Sequence, residues 1–211
     1  MFEVSYLLDI VSKMLLGTII HEHMSHHHLL PLCSFFKKHG FELFDILYND
    51  YQGGSVLGAV AAIGKHPTSE GLKKALRKEC ELGFSNTNYF SDFNNKLTNL
   101  RSSVKSSIIN WKSSGASIAA FGASRSSPTL LSLFGMEEII DYVFDDHAQK
   151  EGKFVGGYGF PVLKTKMLTE VMPDFTLVTA WSHFDVIIDN NKEYIKKGGK
   201  FVSICPEFKV I

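Results

Sequence analysis

The sequence predicts an α/β protein, and three observations carry that prediction. From Gly115 onward short apolar runs alternate with segments of helical spacing: "ASIAAFG" (116–122), "IIDYVFDD" (139–146), "FTLVTAW" (175–181) and "KFVSICP" (200–206) are separated by "SPTLLSLFG", "LKTKMLTEVMP" and "HFDVIIDNNKEYIKKGG". Each apolar run suits a strand buried on both faces. The first and last intervening segments end at glycine, a common helix stop. Strand, helix, strand alternation implies right-handed crossovers, so residues 115–211 are expected to form a Rossmann-like four-stranded parallel sheet with helices on its faces.

Ahead of that sheet the sequence predicts a smaller α+β segment with a long helix. Residues 2–15 have amphipathic helical spacing, "TIIHEHM" (18–24) reads as a strand, "LLPLCSFFKKHG" (29–40) as a helix closed by Gly40, and "FELFDILYND" (41–50) as a strand entering "YQGGS". Residues 67–114 read as helices, the second of them long enough to support the sheet as an amphipathic helix. The expected division is therefore 1–66, carrying the HEH and QGGS motifs, a helical connection at 67–114, and the βαβ domain at 115–211.

Composition limits the classes of function. The 211 residues are 45% hydrophobic, enough for a sizeable core, and 22 Lys+Arg balance 22 Asp+Glu. With no net basic field, neither nucleic acid nor an acidic membrane is an expected partner. Cys33, Cys80 and Cys205 are odd in number and widely spaced, which suits a reducing compartment and excludes a zinc ribbon. The apolar run around Tyr6–Ile20 is broken by Asp9 and Lys13, so no membrane span is expected; Glu3 and Asp9 interrupt any signal-peptide pattern and no small-residue cleavage site follows, so the expected location is the cytoplasm.

In the βαβ half, the first strand runs into "FGASRSSPTLL". Gly122 permits a tight turn, Ser127 is the expected N-cap and Pro128 suits a first helical turn. Backbone N–H groups at such a turn attract phosphate, and Arg125, flanked by Ser124 and Ser126, adds a guanidinium. The other reading is a capping serine cluster with a solvated arginine. The dinucleotide fingerprint GxGxxG is absent, which argues against an oxidoreductase. Asp145 and Asp146 end the second strand, at the edge where doubly wound sheets place ligand-binding acids. They suit a sugar hydroxyl or, equally, a solvated loop. Trp181 follows the third strand, able to stack on a base or sugar or to fill core.

The stretch "IIHEHMSHHH" (19–28) holds five of nine histidines. A zinc-protease helix needs HExxH, and the residue four after His21 is Ser25. On a strand, His21 and His23 would share one face and Glu22 the other. With no third ligand evident, no metal is expected. A general base is natural for histidine, whose reference pKa is about 6.5; a polar strand edge is the plainer alternative, with His26 to His28 as partly exposed residues entering the next helix.

Taken in order, "SYLLDI…TIIHEHMSHH…LLPLCSFFKKHGFELFDI…QGGS", "AAFGASRSSPTLLSLFG…IIDYVFDDHAQKEGKFVGGYGFPVL", "DFTLVTAW" and "GGKFVSICPEFKVI" resemble the C-terminal half of sugar C-methyltransferases. The resemblance implies a zinc-binding domain and an S-adenosylmethionine-binding domain outside this stretch, so that no cofactor is bound by this chain alone and the methyl donor comes from another domain or a separate cofactor-binding subunit. It implies a nucleotide-linked keto-deoxysugar as substrate. The family motif Tyr-His-Glu-His matches Ile20-His21-Glu22-His23, which by resemblance makes His23 the base that removes the proton next to the sugar ketone and Glu22 the residue that orients the substrate. Gln52, Gly53 and Gly54 match the family's His-Gly-Gly-Ser turn, and Gly122, Ser124, Arg125, Ser126, Asp145 and Trp181 are the expected substrate-binding residues. Ile20 replaces the family's tyrosine and Gln52 its histidine. These departures point to the alternative function, a non-catalytic nucleotide-sugar-binding or interaction module.

Overall fold

The computed structural model describes residues 1–84 and 86–211, in two compact units, Met1–Lys96 and Leu97–Ile211. The first unit contains β1 (Phe2–Ser5), α1 (Leu7–Ser12), α2 (Leu29–Lys38), β2 (Phe41–Asn49), β3 (Ser55–Ala62), α3 (Glu70–Glu81) and the beginning of α4 (Thr87–Ser113). Its sheet is antiparallel throughout, in the order β1-β3-β2. The core gathers Tyr6, Leu8 and Val11 with Leu29, Leu43, Val56, Leu72 and Phe84. The helix at 29–38 and the strand at 41–49 stand where the sequence placed them.

Two N-terminal expectations are corrected. Residues 2–15 are not one helix: "FEVS" alternates with period two and pairs residue for residue with β3, Val4 opposite Val56. Nor is 18–24 a strand. Leu15, Leu16, Gly17 and Thr18 are buried in succession where the chain turns. The backbone closes on itself instead, through a 3-10 turn at Leu16–Thr18 and a bond from His23 N–H to the Ile20 carbonyl at 3.0 Å. The strand alternation that would set His21 and His23 against Glu22 therefore does not exist.

The second unit contains β4 (Ile118–Phe121), α5 (Ser127–Phe134), β5 (Val143–Asp145), β6 (Val162–Lys164), α6 (Leu168–Val171), β7 (Phe175–Val178), α7 (Phe184–Asn190), α8 (Lys192–Lys196), β8 (Lys200–Ser203) and β9 (Lys209–Val210). All four expected strands are present, but the sheet has six, in the order β6-β5-β4-β7-β8-β9. The first five are parallel and β9 turns back antiparallel on β8. The two extra strands extend the edges; at three and two residues they are too short for periodicity to reveal. Every residue of β4 and β7 is buried, as central parallel strands require. Within this unit α4 buries Val104 and Ile108 and stacks Trp111 on Phe175 at 3.8 Å, which is the supporting role expected of it. Strand order runs one way from β4 to β5 and β6, and the other way from β7 to β8. The reversal between β4 and β7 is a topological switch point, where open α/β sheets hold ligands.

Candidate functional site

The expected site residues fall into two groups, one in each unit. In the first unit, Glu22, His23 and Gln52 line one cleft of about 530 Å³, together with Glu3, His26 and Ser55. Three short pieces of chain build it: β1, the 22–27 segment and the turn before β3. His23 is half-buried, and its Nδ1 lies 2.7 Å from the Thr18 carbonyl. A carbonyl oxygen only accepts, so Nδ1 carries the proton and the neutral ring keeps its lone pair on Nε2. Glu22 is exposed in the turn beside it. Across the cleft Ser55 Oγ lies 2.6 Å from Glu3 Oε1 and 2.7 Å from Asn49 Oδ1, and Asn49 Nδ2 donates to the same Glu3 oxygen at 3.0 Å. The bonds from Ser55 and then Asn49 hold the Glu3 carboxyl below its ordinary pKa, so it stays ionised.

The turn at 51–54 explains its own sequence. Gln52 adopts left-handed backbone, φ +50°, uncommon for a non-glycine residue. At Gly54, φ is +155°, and a Cβ there would run into the Asp9 carboxylate. Gly53 offers its carbonyl to Lys13 Nζ at 2.9 Å. The turn is thus clamped to the end of α1, which fixes Gln52 at the rim of the cleft.

In the second unit a crevice of about 580 Å³ opens at the carboxyl ends of β4, β5 and β7, the switch point. Gly122, Ser124 and Asp145 line it, with Lys150, Ala180 and His183. Trp181 is partly buried in the 3-10 turn between the last two. Arg125 is exposed in the loop, whereas Ser126 is buried. The expected N-cap moves by one residue: Ser126 takes the capping position, and Ser127 and Pro128 lie in the first turn. The serines serve mainly to tie the loop to β7. Ser126 Oγ donates to the Thr179 carbonyl at 3.1 Å, Ser127 Oγ contacts Thr179 Oγ1 at 3.0 Å, and Ser124 Oγ lies 2.9 Å from both serine hydroxyls. Asp145 accepts from Ala123 N–H (2.7 Å), His147 N–H (2.8 Å) and Lys150 Nζ (2.9 Å).

Gly122 closes this loop against β7. Its φ is +100°, and a Cβ would lie 2.5 Å from that of Ala180 and 2.8 Å from its backbone nitrogen. Gly122→Ala is expected to destabilise the second unit by roughly 2–4 kcal/mol, the sum of a left-handed penalty and overpacking against backbone. Urea unfolding followed by the two tryptophans, both in this unit, measures it.

Sequence reasoning gave no site role to Glu3, Asn49, Ser55, Thr18 or His26. Thr18 acts through its backbone carbonyl, which no side-chain pattern can announce. Glu3 and Ser55 meet because β1 pairs with β3, Ser5 opposite Ser55, a long-range register. Among the described residues no three His, Cys, Asp or Glu side chains are grouped to hold a metal ion, and no helix is long and apolar enough to cross a membrane.

The second unit is an α/β sheet with a crevice at its switch point, and the first unit carries an imidazole-lined cleft. Comparison with known proteins makes the class particular. Residues 50–206 match the C-methyltransferase C-terminal domain family, and the chain belongs to that family. It is 29% identical over 211 residues, 99% of its own length, to the C-methyltransferase NovU of Streptomyces niveus. It spans about half, 50%, of the length of that relative. The family implies S-adenosylmethionine as methyl donor. At the switch-point crevice Asp145 already accepts from Ala123, His147 and Lys150.

Proposed function

We propose that this chain is the substrate-binding and proton-abstracting C-terminal portion of an S-adenosylmethionine-dependent C-methyltransferase acting on a nucleotide-linked keto-deoxysugar. The supporting observation is the His23 Nδ1–H to Thr18 carbonyl bond, which leaves Nε2 as a base within a cleft that also holds Glu22 and Gln52. His23 takes the proton from the carbon beside the ketone, and Glu22 and Gln52 hold sugar oxygens. The methyl donor is brought by a cofactor-binding portion outside this chain, as a further domain or a separate subunit.

In the second unit we propose that the switch-point crevice is a binding site for a nucleotide diphosphate. There Gly122, Ser124, Ser126 and Asp145 shape the β4–α5 loop, Arg125 meets the diphosphate, and Trp181 stacks beside the ligand. Calorimetric titration with a panel of nucleotide sugars tests this part: Arg125→Ala is expected to weaken binding on the order of tenfold, the size of one charge-assisted contact. Unchanged affinity would remove the diphosphate from this loop.

The test of the whole is hydrogen exchange. In deuterium oxide this chain is expected to incorporate deuterium at the carbon next to the ketone of a nucleoside-diphosphate 4-keto-6-deoxyhexose, a reaction that needs a base and no methyl donor. Methyl transfer is expected only when a cofactor-binding methyltransferase portion is added with S-adenosylmethionine. An absence of both reactions would favour a binding module without chemistry.

A further inference from the structure

Two histidines of the first cleft have opposite hydrogen-bonding surroundings at Nδ1. The His23 and His26 rings lie 6.2 Å apart, centre to centre, at 89°, and both line the cleft. His23 has its proton fixed on Nδ1 by the Thr18 carbonyl. His26 has the reverse arrangement: its Nδ1 is shut away from water with no hydrogen-bond partner. An N–H stranded there would forfeit its hydration with no return, so the neutral ring keeps its proton on Nε2. A doubly protonated ring would strand a charged N–H in the same place. Burial, and after it the neighbouring His23 and His27, accordingly hold the His26 pKa below the ordinary histidine value. The cleft thus contains one imidazole whose Nε2 is left to accept a proton and another arranged to donate a hydrogen bond.

We propose that His26 is a second working imidazole of this cleft, a neutral donor whose Nε2–H binds the substrate oxygen on which negative charge collects. The inference rests on the proton-abstraction reading above and adds a residue to it. When the carbon acid is deprotonated, the C–H bond breaks and its proton forms a new N–H bond at His23 Nε2. The C–H electron pair becomes the C=C bond, and the carbonyl π pair moves onto oxygen. His26 keeps its own proton and stabilises that oxyanion; being neutral, it does not oppose the positive charge that His23 acquires. A donor aimed at developing charge contributes more than one aimed at the ground state.

The deuterium-exchange assay, run on the full chain with the nucleoside-diphosphate 4-keto-6-deoxyhexose, separates the outcomes. His26→Phe keeps a ring and loses the donor; its exchange rate is expected to fall on the order of 100-fold with ligand affinity within about threefold of the parent. His26→Gln, whose amide N–H reaches the position of Nε2, is expected to recover to within about tenfold of the parent. A His26→Phe rate within about threefold of the parent, while exchange still requires His23, overturns this inference and leaves the base assignment standing. A parent chain that binds the sugar nucleotide and exchanges nothing overturns both. Nitrogen NMR of the parent reads the tautomer without any variant: His26 neutral and protonated on Nε2 at pH 7 is expected, and an Nδ1-protonated or charged His26 sinks the proposal.

Discussion

His23→Asn is expected to lower deuterium incorporation into the keto sugar by on the order of 1,000-fold, within the range a positioned base supplies, while ligand affinity stays close to that of the parent. Asparagine is the informative replacement. Its amide nitrogen lies near the position of imidazole Nδ1 and can still donate to the Thr18 carbonyl, so the turn from Ile20 to His23 keeps its anchor. What disappears is a nitrogen with a lone pair able to take up a proton. Loss of rate without loss of binding identifies a group that acts in the transition state; a matching loss of both would mean that the 20–27 segment had rearranged. Exchange within about threefold of the parent would exclude His23 as the base.

What the sequence made legible follows from where the information is stored. The strands of the second unit were visible because both faces of β4 and β7 are buried, which writes continuous apolar runs, and the ends of α2 and α5 because glycine follows each of them, Gly40 at φ +80° and Gly135 at φ +69°. The flanking strands were not, since β9 is a two-residue pairing decided by its neighbour β8. The HEH segment shows the opposite case. Its residue types announced acid-base chemistry, yet alternation assigned it to a strand, because Leu15, Leu16 and Thr18 are buried by a turn that period-two reasoning does not represent. The contribution of Thr18 is a backbone carbonyl, and that of His26 is a nitrogen left without a partner. Neither depends on residue type alone, so neither can be read before the chain is folded.

The serine loop left two readings open in the sequence, an anion site and a capping cluster, and the side-chain bonds bear on both. "GASRSSP" has the composition of a phosphate cradle, but its hydroxyls are used to hold the β4–α5 turn against Thr179. That leaves Arg125 as the exposed element of the loop and makes Gly122 a packing requirement, set by Ala180, as much as a turn residue. Sequence composition identifies which groups can bind an anion; whether they are already bonded to one another is decided by strands some 50 residues away, here Ser126 and Thr179.

The largest stability effect is expected at Glu79, a residue of α3 that composition would assign to a solvated helix face. Its side chain is fully buried, and it accepts four hydrogen bonds: Tyr6 OH at 2.8 Å, Leu29 N–H at 2.7 Å, Leu30 N–H at 2.9 Å and His28 Nδ1–H at 3.0 Å. Two of these donors are the first amides of α2, otherwise without an intrahelical partner, so Glu79 caps that helix from a distance and its charge meets the positive end of the helix. The same carboxylate fixes His28, where the histidine-rich segment enters α2. Glu79→Ala leaves four donors, two buried and two part-buried, without this acceptor and is expected to cost about 3–5 kcal/mol. Glu79→Gln keeps the volume but turns an N–H toward donors, and is expected to cost about half as much. Amide exchange at Leu29 and Leu30 should accelerate in both variants, with the second unit's strands unchanged. Burial, followed by the bond to Glu79, also pushes the Tyr6 phenol well above its ordinary pKa. Because the folded value lies above the unfolded one, that stabilisation is fully present below pH ~10 and declines as pH rises past it. Exchange at Leu29 and Leu30 in Glu79→Ala no faster than in the parent would mean that another acceptor caps α2.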